Sequence, residues 1–306
     1  MEIEKQEINQ WIKGIPYELA FWNNVYRWMR TDEGLVAWSN YERDICLEGI
    51  DANSILSSSL SCNREATSPL VLDVGSGMSY LPGNYFYRGE RRERINMKYI
   101  DPLAYHYNKI LNKYHRELPE ITFGIAEYLS AFLPNEKADM IIIQNALDHS
   151  FSPIKGIIEA MRTLHMGGYL YLNHHPNEAE MELYKGFHKY NINEENGKLV
   201  IWNKTVRFIV DDFLQGFSEI NVHRTDNGHI VALIRKTNNV PENLYDDSTS
   251  IKDLCENYHQ LFMLTFSKNL SAKLKCKYCL YNVIQFLAQA LPWDIKMKVK
   301  KFIGQA

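Results

Sequence analysis

The stretch Val71-Leu72-Asp73-Val74-Gly75-Ser76-Gly77 constrains what this chain can fold into more than any other. An apolar run that breaks into two glycines one residue apart reads as a buried strand entering a tight turn, where backbone N–H groups and a following helix start can approach a ligand. Downstream, short apolar runs alternate with helical stretches, the pattern of βαβ units around a parallel sheet. The predicted strands are 70–74, 97–101, 121–125, 138–144 and 168–173, with helices over 104–118 and 153–164 among the connections. Segments 217–225 and 229–236 flank Asp226-Asn227-Gly228, whose turn chemistry predicts a tight antiparallel hairpin. The expected fold is therefore α/β, with a mostly parallel seven-stranded sheet that ends antiparallel. A further small hairpin, 198–203 with 205–210, is expected as an insertion over the sheet's ligand edge.

The rest of the chain divides around that sheet. Leu19, Trp22, Tyr26 and Met29 recur at helical spacing beside Phe21, Val25 and Trp28, which predicts a helix after Pro16 that is buried on much of its circumference. A second helix is expected over 35–47, and the Ser- and Asn-rich stretch 51–69 reads as a loop or linker. Residues 1–68 are thus a helical cap and linker, 69–236 the ligand-binding domain and 237–306 a helical appendage. Between Lys268 and Lys301 the appendage has eight lysines against one acid, Asp294. It reads as a solvated helix packed on the domain, with peripheral contact to an anionic membrane as the sharper alternative.

Composition excludes several classes. With 306 residues, 45% hydrophobic and 23% charged residues and a net charge of −3, the chain has the make-up of a globular protein without the basic footprint of nucleic-acid binding. Its start lacks a signal peptide's basic and apolar regions and no run reaches membrane-spanning length, so a cytoplasmic location is expected. Five cysteines without a secretory signal read as reduced thiols, and Cys276-x-x-Cys279 as packing within a helix.

The chemistry centres on Asp73, two residues before the first glycine. The third glycine of a dinucleotide fingerprint is missing, and Tyr80 stands in its place. A pyrophosphate would be repelled by Asp73, whereas a ligand carrying an ammonium group would be attracted. Hydrophobic-Asp-x-Gly-x-Gly at the end of a first strand resembles the first motif of the class I, Rossmann-like S-adenosylmethionine-dependent methyltransferases, and the resemblance extends over about residues 70–236. It implies S-adenosylmethionine as cofactor, held by Asp73, Gly75, Ser76 and Gly77 at its amino-acid end. By the same resemblance Asp101-Pro102 would meet the ribose, Ala126-Glu127 the adenine, and Asn145 would border the site. The acid that usually precedes Ala-Glu is absent, since Ile125 stands there. His165-Met166-Gly167-Gly168 is similar to the family's turn before its fifth strand. Asn145-Ala146-Leu147-Asp148-His149, Asn173-His174-His175-Pro176-Asn177-Glu178 and Gly186-Phe187-His188 resemble a subgroup found with bacterial surface-polysaccharide biosynthesis.

The expected activity is methyl transfer to a small polar acceptor, O-methylation of a sugar, sugar nucleotide or phosphorylated metabolite in the first instance. A hydroxyl acceptor must lose a proton, and histidine suits that task near neutral pH. His149 is the first candidate, supported by Asp148, with His174 or His175 approaching from the next strand. Asp148, His149, His174, His175 and Glu178 are also metal-ligating types, but they show no tight ligand spacing, so no metal is expected. The competing readings are a catalytically inactive cofactor-binding scaffold and an N- or RNA methyltransferase.

Overall fold

The computed structural model describes residues 5–28, 42–62, 68–114, 117–133, 137–184, 186–245, 270–289 and 295. In chain order the principal elements are α1 (Lys5–Trp28), α2 (Ala52–Cys62), β1 (Leu70–Val74), β2 (Tyr85–Arg88), β3 (Arg91–Arg94), β4 (Asn96–Asp101) and α3 (Ala104–Lys113). There follow β5 (Ile121–Phe123), β6 (Ala138–Gln144), α4 (Pro153–Thr163), β7 (Leu164–His174), β8 (Asn191–Glu195), β9 (Lys198–Trp202) and β10 (Arg207–Ile209). The last are α5 (Val210–Leu214), β11 (Ser218–Arg224), β12 (Ile230–Lys236) and α6 (Ala272–Gln289).

Seven strands form one sheet in the order β11-β12-β7-β6-β1-β4-β5. The five from β7 to β5 run parallel, and β12 pairs antiparallel with both β7 and β11. This is the expected seven-stranded sheet, with all seven strands where the apolar runs placed them. Both faces are covered, because residues alternate in direction along each strand. Val71, Met140, Ile142, Tyr171 and Val231 pack on one face with Leu56 of α2 and Phe86 of β2. Leu72, Ile141, Ile143, Leu172 and Ile230 pack on the other, against Ile154, Ile157 and Met161 of α4 and Ile192, Leu199 and Ile201 of a second, three-stranded sheet.

That second sheet contains the expected 198–210 hairpin and adds β8, joined to β9 by Asn196-Gly197, both at positive φ. The Asn-Gly pair supplies the left-handed backbone that a two-residue hairpin turn requires.

Four expectations need correction. Residues 52–62 are helix, not linker: Asp51 caps the first turn through Ser54 N–H (3.0 Å), and Ala52, Leu56 and Ser59 present one buried face. Packing overrides the weak helix propensity of the serines, and the Ser59 hydroxyl donates to Asp139 at 2.6 Å. No helix starts at the glycine turn; the chain runs instead into the β2–β3 hairpin, with Phe86 fully buried. Helix α1 begins well before Pro16 and runs through it. Trp11, Ile15, Leu19, Trp22 and Tyr26 form one buried stripe, enough to outweigh a proline's cost of about 3 kcal/mol. Cys276 and Cys279 are exposed free thiols rather than packed ones.

Smaller differences lie at element ends. Helix α3 stops at Lys113, β5 stops at Phe123, and β7 starts at Leu164 with a register shift opposite Ala138–Met140. The described part of the predicted 35–47 helix, 42–47, is not helical, and 35–41 lie outside the described residues, as does Met29. In the appendage, α6 packs on α1, where Asn23 Nδ2 donates to Asn282 Oδ1 at 2.7 Å, while Leu280, Val283 and Leu287 remain exposed. No described helix is long and apolar enough to cross a membrane.

Leu56 has no solvent exposure and locks α2 to the sheet. Leu56→Ala should therefore destabilise the protein by about 2–5 kcal/mol. Urea denaturation followed by circular dichroism measures it; a loss below about 1 kcal/mol would mean that α2 contributes little to this face.

Candidate functional site

The carboxyl ends of β1, β4, β6 and β7 lie side by side, and the turns leaving them carry nearly every residue singled out in the sequence. Gly75 and Gly77 both adopt positive φ. Their lack of a side chain is also required by close neighbours, since a Cβ on Gly75 would lie 2.4 Å from Ala146 Cβ and one on Gly77 2.6 Å from the Trp22 ring. The N–H groups of Gly75 and Ser76 donate to Ile100 O at 2.8 and 3.2 Å, which ties the turn to the end of β4.

Two carboxylates are buried beneath that turn. Asp101 accepts from Gly77 N–H at 3.1 Å through Oδ2 and from Leu103 N–H at 2.7 Å through Oδ1. Asp73 has one oxygen, Oδ2, buried without any partner. Burial pushes the Asp73 carboxyl up to about 7, helped by the Asp101 charge. Burial also pushes Asp101 up to about 7, against the opposing effect of its two backbone N–H bonds, with Glu18 adding to the rise. Glu18, on α1, accepts from Trp22 Nε1 at 2.8 Å and from the Tyr107 hydroxyl at 3.5 Å. The three acids make a strongly cation-seeking corner. Pro102 follows Asp101 as a half-buried turn residue.

The other predicted cofactor residues take distinct places. Glu127 is buried, and its Oε1 accepts from the N–H groups of Phe151 and Ser152 at 2.5 and 3.0 Å, so it ties the β5 turn to the β6 loop. Ala126 begins that turn and packs near Gly156. Asn145 is exposed and left-handed (φ 46°); its N–H donates to Asn173 O and its Oδ1 accepts from His175 N–H, both at 2.9 Å. It thereby staples the ends of β6 and β7.

A second cluster lies in the β6 loop. Asp148 and His149 sit on a single 3-10 turn, 147–149, and the segment before β8 is bonded to it through Lys189 N–H and Tyr190 N–H to Asp148 O. This brings His188 against both. Asp148 Oδ2 is 2.7 Å from His188 Nδ1 and 3.4 Å from His149 Nε2, and the two ring nitrogens are 3.1 Å apart. Burial raises the Asp148 carboxyl, but the His149 and His188 charges and the His188 bond outweigh it and hold it well below its usual range. Burial lowers His149; burial pulls His188 down as well, but its bond to Asp148 and the charges of Asp148, Glu178 and Glu182 together outweigh that and raise it.

His174 and His175 separate as adjacent strand residues should. His174 is buried, both ring nitrogens lack a partner, and burial drives it down to about 4. His175 points to the other side, its ring centroid 4.3 Å from that of His229. The structure thus joins Asp148 to His149 and sets His175 apart. It also adds Glu18, Trp22 and His188, which spacing alone could not connect to the site.

Helix α1 spans both clusters. Trp22 covers the glycine turn, while Trp11 stacks on Phe187 at 4.6 Å next to His188. The step of eleven positions from Trp11 to Trp22 corresponds to about 16 Å of helix.

No protein-family model matches the chain, and comparison with curated proteins finds no match. Among solved structures, similar chains include a 16S rRNA methyltransferase of T. thermophilus with AdoMet and guanosine (15% identity, TM-score 0.34), which covers 62% of this chain and 41% of its own. The N-methyltransferase NodS of Bradyrhizobium japonicum with S-adenosyl-L-homocysteine is 12% identical (TM-score 0.32; 60% and 84% covered). An amino pentose methyltransferase of Micromonospora echinaspora with SAM bound is 13% identical (TM-score 0.34; 62% and 93% covered). This chain thus spans less than half of the first of these proteins. Likenesses at such scores carry no argument about cofactor or substrate.

The buried acids generate a prediction for the protein without ligand. An acid raised by folding contributes stability that is complete below its ordinary pKa of 3.8 and is lost as pH rises through about 7. Asp73→Asn removes one such group. Its melting temperature should fall less steeply than that of the unmodified chain between pH 4 and 8, and should exceed it at pH 8. Parallel pH profiles by scanning calorimetry would show that Asp73 is not strained by its burial.

Proposed function

We propose that this chain is an S-adenosylmethionine-dependent methyltransferase that methylates a hydroxyl of a small polar acceptor, a sugar or sugar nucleotide in the first instance. The observation that carries the reading is the partnerless, buried Asp73 Oδ2 beside the glycine turn. A buried carboxylate without a partner is costly, and a cationic group offers the strongest relief. The amino-acid end of S-adenosylmethionine supplies an ammonium for that role. Asp101 fits the ribose, because each of its oxygens accepts only one backbone N–H and retains a lone pair for a hydroxyl donor. A dinucleotide pyrophosphate fits poorly against Asp73, Asp101 and Glu18.

When bound, S-adenosylmethionine supplies a methyl group whose S–C bond breaks with its electron pair staying on sulfur as the new bond to the acceptor forms. The protein's part is then to align the acceptor and see its proton leave. Ala146 packs against the glycine turn, and Asp148 and His149 follow it directly, so this loop borders the cofactor corner. The Asp148–His149–His188 cluster is the group we assign to activating the acceptor hydroxyl. Acidic groups at the site disfavour an RNA backbone, and the α1 cover favours a small acceptor over a polymer.

Equilibrium dialysis tests the cofactor. Asp101→Ala should weaken S-adenosylmethionine binding by about 1.5–3 kcal/mol, or some 10- to 150-fold, with Asp101→Asn as the fold control. Unchanged affinity in a folded variant removes the ribose assignment, and no binding by the unmodified chain removes the function.

Turnover tests the second cluster. His149→Ala should keep cofactor affinity within a few fold and lower methyl transfer by about 10²–10⁴, read as S-adenosylhomocysteine released with a panel of sugar and sugar-nucleotide acceptors. Near-normal turnover would transfer the role to His174 or His175. Tight cofactor binding without turnover on any acceptor would favour the scaffold reading.

A further inference from the structure

We propose that Asp148, His149 and His188 form a binding site for one divalent transition-metal cation of the zinc class. The three atoms concerned, Asp148 Oδ2, His149 Nε2 and His188 Nδ1, converge on a single point, with separations of 2.7, 3.1 and 3.4 Å. Ligands bound to zinc at about 2.0–2.1 Å stand about 2.9–3.4 Å from one another, depending on geometry. Two of the three observed spacings, 3.1 and 3.4 Å, lie within that range, and the 2.7 Å separation of Asp148 Oδ2 from His188 Nδ1 is slightly shorter.

Hydrogen bonding alone satisfies this arrangement badly. Two imidazole nitrogens face each other at 3.1 Å while both face one carboxylate oxygen. If both donate to Asp148 Oδ2, their two hydrogens crowd the same gap; if only one does, the other nitrogen's lone pair faces a carboxylate. In either case Asp148 Oδ1 stays buried with no partner. A cation accepts lone pairs from all three atoms at once and neutralises the buried carboxylate. Two imidazoles and one carboxylate suit zinc and its neighbours better than magnesium or calcium.

The fold holds the donors firmly. Asp148 and His149 share one 3-10 turn, and His188 is brought to them by the backbone bonds of Lys189 and Tyr190 to Asp148 O. Phe187, the neighbour of His188, is clamped by Trp11, and its ring would lie 2.6 Å from a Cβ on Gly14. Three protein ligands leave an open coordination position, as in catalytic rather than structural sites. Under the methyltransferase reading, on which only this step rests, the acceptor hydroxyl oxygen takes that position. The cation lowers the pKa of the hydroxyl, the proton passes to solvent, and the coordinated oxygen is poised for methylation. His149 then acts as a ligand, so the loss of turnover in His149→Ala is a loss of the cation.

The test uses the full chain carrying Cys276→Ser and Cys279→Ser, dialysed against a chelator and titrated with Co²⁺ and with Zn²⁺. One Co²⁺ per chain should bind with visible d–d absorption, and Zn²⁺ should displace it. His188→Gln and His149→Gln should each weaken uptake at least 100-fold while retaining the near-ultraviolet circular dichroism and S-adenosylmethionine affinity of the parent. Uptake no greater in the parent than in folded His188→Gln overturns the site. Full turnover in chelated protein overturns the catalytic role of the cation. Cation binding at this site with no methyl transfer to any acceptor leaves the site standing and counts against the proposed function instead.

Discussion

Two carboxylates on the adjacent strands β1 and β4 are buried at the carboxyl edge of the sheet, and much of the surrounding structure follows from holding them there. Gly77 and Leu103 donate to Asp101 and oppose the effect of its burial, and the Gly77 bond in turn fixes the path of the glycine turn. That path excludes side chains at Gly75 and Gly77, allowing Ala146 and Trp22 to close upon it. Asp73 receives no comparable help, so one of its oxygens remains unsatisfied. A hydrophobic replacement would pack as well; the acids make sense as a preorganised receptor for positive charge.

The sheet was legible because its strands obey a simple rule. Runs such as Ala138–Gln144, buried on both faces, are almost uniformly apolar, and Asp226-Asn227-Gly228 announces the final reversal. What escaped were elements whose composition opposes their structure. Residues 52–62 contain five serines and an asparagine, and only the spacing of Ala52, Leu56 and Ser59 betrays a helix. A β2–β3 hairpin stands in place of a crossover helix, and its signal is the aromatic run Tyr85-Phe86-Tyr87 ahead of the Gly89 turn. Asn196-Gly197 was a readable turn, and it would have revealed β8.

The candidate site divides similarly. Asp73 and Asp101 could be placed at the carboxyl edge of the sheet because they lie at or next to strand ends, where the chain's order alone fixes position. His188 was not, since it reaches Asp148 across forty residues through a contact set by two backbone hydrogen bonds. Glu18 lies farther still from the residues it influences, on a helix whose apolar stripe gives no hint of a polar task. Glu127 shows the converse: its place beside a familiar motif suggested a ligand, but its carboxylate organises the start of α4.

Helix α1 carries one more implication. Trp22 rests on the glycine turn, Trp11 rests on Phe187, and Asn23 and Asn24 are tied to Asn282 of α6. A rigid rod pinned at three points does not lift at one end alone, so admitting a molecule beneath it requires the whole rod and its C-terminal partner to move together. Collective motions of packed helices run on microsecond to millisecond timescales, far slower than side-chain rotation. Release of any molecule held under α1 would thus involve the contact between α1 and α6, although α6 itself lies away from the glycine turn and the histidine cluster.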